Sequence, residues 1–118
     1  LVVLTLLLTT SSFSQGFPRL ERETLEFNHV ILYDVKSDVK KEKHRDFTFV
    51  INGNFLVAKT EGKKDFVFKF KGQIEDKTVK GIKFLMVRTN RKEIIFFAKN
   101  KKAIVFATEK NVTTFINN

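Results

Sequence analysis

The sequence contains no cysteine and no tryptophan, one proline, five glycines and two histidines. Missing thiols remove disulfide staples, thiol nucleophiles and cysteine-based zinc sites together, so stability must come from packing. The glycines are scattered and form neither G-x-G-x-x-G nor a P-loop, so nucleotide phosphates have no cradle. Beyond residue 14 the only serine is Ser37, in the loop Asp34-Val35-Lys36-Ser37-Asp38, without the strained G-x-S-x-G turn that exposes a hydrolase nucleophile. A Ser37, His44, Asp46 triad can be written down, but loop residues this close in sequence rarely hold triad geometry. His29 shares the strand phase of Phe27 and Ile31, which suits a core-edge histidine with its ring hydrogen-bonded, and His44 sits among cations that oppose a metal. Metal, cofactor and catalytic residues are therefore expected to be none, with a hydrolase as the minor alternative. The acids lie mostly in turns beside lysines, as on a solvated surface rather than in a carboxylate pair.

What is present is 118 residues, 42% hydrophobic and 30% charged, which fits one globular domain. A chain near this size buries roughly two-thirds of its unfolded surface, enough to fold without staples. Lys and Arg number 22 against 13 Asp and Glu, a net charge of +9. That balance attracts anionic partners, although abundant Lys, Phe, Ile and Asn is also the usage of an AT-rich coding sequence. Arg supplies only five of the positive charges, and Arg rather than Lys has the planar fork that grips phosphate or carboxylate in two places.

Residues Leu1 to Thr10 are apolar or hydroxylic and uncharged, and Ser12 and Ser14 supply small side chains before Gln15. This is the pattern of a signal peptide, so residues 1–14 are expected to be cleaved, 15–24 to form an N-terminal extension and 25–118 a single domain. The apolar stretch is too short for an ordinary transmembrane helix, and the expected location is exported, periplasmic or secreted.

From Leu25 the hydrophobic period is two. Leu25 to Tyr33, Phe47 to Ile51, Phe55 to Thr60, Phe66 to Phe70, Ile82 to Arg88, Glu93 to Ala98, Ala103 to Thr108 and Val112 to Ile116 read as strands. Asn52-Gly53 marks a hairpin, and Gly72 to Gly81 a polar connection. The expected fold is all-β, an antiparallel meander of about eight short strands forming a small barrel or sandwich. The fifth to seventh strands are apolar on both faces. Their second face calls for cover by Phe17-Pro18-Arg19-Leu20, a second sheet, a second copy in a homodimer or an apolar ligand.

Turns of a meander alternate between two ends. One end mixes charges, whereas Lys71, Lys80, Lys83, Lys99, Lys101 and Lys102 are expected to form a cleaner basic patch at the other. In an exported protein that patch would meet an anionic envelope polymer, lipid headgroups or an acidic protein, and no nucleic acid. The function expected is a non-enzymatic interaction or structural module using that end, the alternative being a small barrel that holds an apolar ligand or lipid.

Overall fold

The computed structural model describes residues 22–60 and 62–117. The expected leader, its cleavage site and the Phe17-Pro18-Arg19-Leu20 segment lie outside the described residues. Eight strands follow one another: β1 (Glu23–Asp34), β2 (Val39–Asn52), β3 (Phe55–Thr60), β4 (Phe66–Val79), β5 (Ile82–Thr89), β6 (Ile94–Ala98), β7 (Ala103–Ala107) and β8 (Asn111–Ile116). Each pairs antiparallel with the next, and β8 pairs back to β1, so the meander closes into a ring. Closure satisfies backbone donors and acceptors that an open sheet would leave at its margins. No helix occurs among the described residues, and none is long and apolar enough to cross a membrane.

The two-residue period sends one side chain of each pair inward. Phe27, Phe49, Ile51, Leu56, Phe68, Val87, Ile95, Phe97, Ile104 and Phe106 form the core, with Leu56, Val87, Ile95 and Ile104 wholly enclosed. Full burial of an aliphatic or phenyl side chain is worth about 1.5–3 kcal/mol, so these residues are the main source of stability in a chain without disulfides. Phe49 is the hub: its ring meets Phe27, Phe106 and Phe115 at centroid distances of 6.0, 5.7 and 4.8 Å. It thereby joins β2 to β1, β7 and β8, the strands on either side of the closing seam.

Two stretches expected as connections are strand. The lysine-rich Val39 to Asp46 belongs to β2, and most of the polar segment from Gly72 onward belongs to β4, which continues to Val79. Gly72, at φ 71°, lies in the irregularity between Lys71 and Glu75 where the β4–β5 register shifts: β4 pairs with β3 through Phe66–Lys69, and with β5 at Phe70 and Lys71 and again from Glu75 to Val79. β2 likewise pairs with β3 only from Phe47 onward. Polarity misled the expectation because charged residues here line strand flanks that no neighbouring strand covers among the described residues, where charge discourages edge-to-edge association.

The Asn52-Gly53-Asn54 hairpin forms, with Asn52 and Phe55 paired and Gly53-Asn54 at its centre. Gly53 has φ 62°, a backbone that glycine adopts without steric cost.

Outside the ring, the fifth to seventh strands carry the expected second apolar face. Met86 and Ala98 are buried there, while Phe84, Ile94, Phe96 and Val105 are half-buried. Phe84 and Phe96 meet edge to face at 6.2 Å. The described residues form one ring and no second sheet.

Candidate functional site

The expected basic patch is divided by the fold. Lys80 occupies the β4–β5 turn, Lys83 follows it on β5, and Lys99, Lys101 and Lys102 occupy the β6–β7 turn. The two turns are tied together by the Lys99 N–H, which donates to the Lys83 carbonyl at 3.0 Å. Lys71 does not join them. It pairs with Arg88, five residues along β5 from Lys83, or about 17 Å at the usual strand rise. The reason is the length of β4: a strand running to Val79 carries its turn far beyond Lys71.

Acids from other strands also reach the patch. Lys99 pairs with Asp76, and the Lys101 ammonium lies 3.1 Å from Glu23. Glu75 takes Arg88 at 2.9 Å and Lys77 at 4.0 Å. Lys80, Lys83 and Lys102 have no ion pair among the described residues. Such exposed pairs contribute little stability, but they lower the net positive field of this end.

His29 is 5% exposed and stacks on His44 with ring centroids 4.4 Å apart. A β-bulge between Phe27 and His29 shifts the register, so His29 does not keep the inward phase of Phe27 expected from sequence but lies, buried, on the outer face opposite His44. Its ring also lacks the expected hydrogen bond: Nε2 is 3.0 Å from Glu42 Oε1 yet out of alignment, and Nδ1 has no partner among the described residues. The nearly parallel rings do not converge on a common point, and no metal-holding group of three or more His, Asp or Glu is present among the described residues. His44 lies five residues along β2 from Val39, whereas Ser37 sits in the preceding turn, with its N–H donating to Asp34 Oδ1 at 3.1 Å. Strand rise thus separates Ser37 from His44, and the triad that can be written from sequence is not assembled.

The most built concavity lies at the other end. A cavity of about 690 Å³ opens between the β1–β2, β5–β6 and β7–β8 turns. Phe68, Phe106 and Phe115 form its apolar base and Leu32 part of its wall, while Lys41, Asp34, Glu93, Thr108 and Thr113 supply polar groups. The register explains the space. Leu32 lies opposite both Lys41 and Thr113, and Thr113 opposite Phe106, so these residues share the inward face. Toward the mouth, β8 changes from inward Phe115 to Thr113 and Asn111, whose smaller polar side chains do not continue the phenyl packing.

The rim is tied down by hydrogen bonds. Asp34 Oδ1 accepts from the N–H groups of Lys36 and Ser37, and the Val35 N–H donates to Lys110 O at 2.8 Å. Thr89, buried beneath the β5–β6 turn, donates to Glu93 O at 2.8 Å and accepts from Arg91 N–H at 3.1 Å. The Arg91 guanidinium lies 4.1 Å from the Phe66 ring centroid. Buried or directional anchors of this kind reduce the ordering cost of binding.

The Tyr33 hydroxyl donates to Asp38 Oδ1 at 2.6 Å, and this hydrogen bond, with lesser contributions from desolvation and the charges of Asp38 and Asp34, raises its pKa above the ordinary 10.0. The folded state therefore favours the neutral phenol. Its contribution to stability is fully present below the unfolded pKa and is lost as pH rises through the higher folded value. Tyr33 is the only tyrosine, so tyrosinate absorbance reads it alone. We expect a midpoint above 10.0 that moves toward 10.0 in Asp38→Gly, a substitution suited to the φ of 56° at this position. An unchanged midpoint would show that Asp38 does not set it.

The sequence reading kept a ligand-holding barrel as its alternative but assigned it none of the residues that line this cavity, because fourteen phenylalanines more readily suggest a filled interior. The available signal was positional: the inward phase of β8 becomes polar toward one end. Comparison of the chain with protein-family models, curated proteins and solved structures finds no match.

Proposed function

We propose that the protein is an exported, non-enzymatic binding module that holds one small amphiphile at the open end of its ring. The observation carrying this reading is the cavity of about 690 Å³ with a phenyl base and polar rim. Its volume falls within the roughly 300–1,000 Å³ range of small-molecule sites, and its lining offers apolar contact below and polar contact above. A ligand with a compact apolar body and a polar head matches that division. The N-terminal leader pattern supports action outside the cytoplasm.

Thr113→Trp tests the site by filling it from the wall. Wild-type protein is expected to bind one equivalent of the amphiphilic probe anilinonaphthalene sulfonate, whereas the variant binds at least about tenfold more weakly, a loss near 1.4 kcal/mol. The introduced indole is the only tryptophan, so its emission reports whether it is enclosed. An enclosed indole with undiminished probe binding, or no binding by the wild type, would overturn the assignment.

A further inference from the structure

We infer that the β4–β5 hairpin tip docks on an anionic lipid bilayer. Val79 and Ile82 pair across a two-residue turn and remain 48% and 49% exposed. Lys80 and Gly81 occupy the turn with φ values of 51° and 81°, the positive-φ pattern of a tight hairpin. β3 pairs with β4 only as far as Lys69, and β6 pairs with β5 only from Phe84, so the tip extends beyond the paired parts of both neighbours. Lys83 and Lys102 accompany Lys80 without ion pairs among the described residues, while nearby Asp76 is engaged by Lys99.

A protruding aliphatic pair beside unpaired lysines complements an anionic bilayer: the ammoniums meet the headgroup potential and Val79 and Ile82 enter the interface. A folded acidic protein would instead need a concave receptor for this tip. Lysine suits a diffuse anionic surface because it acts as a mobile point charge, without the planar fork of arginine. The tip lies at the end of the ring opposite the cavity mouth, so this inference is independent of the proposed amphiphile site.

The test compares vesicles of phosphatidylcholine with vesicles also containing phosphatidylglycerol, using wild-type and variant chains with the same N-terminus established by mass spectrometry. Wild type should prefer the anionic vesicles and dissociate as salt rises. Lys80→Gln with Lys83→Gln, and separately Val79→Ser with Ile82→Ser, should each weaken binding by roughly tenfold or more while preserving the β circular-dichroism spectrum. Equal binding to the neutral vesicles, or wild-type binding by either double variant, would overturn the inference. Binding to soluble polyphosphate with no loss in the Val79→Ser, Ile82→Ser variant on vesicles would identify a polyanion site instead and also overturn it.

Discussion

Phe49→Ala is expected to destabilise the protein by about 3–5 kcal/mol, the usual cost of truncating a buried phenyl group. Phe49 is 2% exposed and contacts Phe27, Phe106 and Phe115, so its loss leaves a void between strands from opposite parts of the sequence. Typical domains have only about 5–15 kcal/mol of stability, so the variant would lose a substantial fraction of the total. Urea unfolding followed by circular dichroism measures the difference. A loss below about 1 kcal/mol would contradict the hub role.

Phe115→Ala is expected to cost about 2–3 kcal/mol, less than the deeper truncation because Phe115 is only half-buried. Its ring lies edge to face with Phe47, Phe49 and Phe106 at 4.9, 4.8 and 5.6 Å, and also lines the cavity. The variant should therefore combine lower stability with a deeper cavity. A double-mutant cycle with Phe49→Ala isolates their coupling, expected near 0.5–1.5 kcal/mol. Additive losses would show that the ring contact itself contributes no measurable coupling.

Strand order and fold class were legible because short runs of alternating Phe, Ile and Val leave antiparallel pairing as the way to bury one face. The same period identified inward Phe66, Phe68 and Phe70, although Phe66 is 46% exposed where β4 reaches the mouth. Strand ends were less legible. Lys40 to Asp46 and Glu75 to Lys77 resemble loops by composition, yet they continue strands whose outer flanks tolerate charge.

The basic patch shows the same division. Sequence placed Lys99, Lys101 and Lys102 in one turn, but could not show that Asp76 and Glu23 would approach them from other strands. It also could not place Lys71 beside Arg88, because that requires knowing how far the β4–β5 hairpin extends. The cavity depends on a still less local condition, the meeting of Leu32, Phe68, Phe106 and Phe115 around one opening.

By itself the sequence determined an all-β antiparallel meander, through a hydrophobic rhythm that acts locally on each strand. Only the tertiary structure decided ring closure, the separation of Lys71 from the other lysines and the opening at the polar end of β8. Those features depend on register and on contacts between distant strands, which residue order alone does not specify.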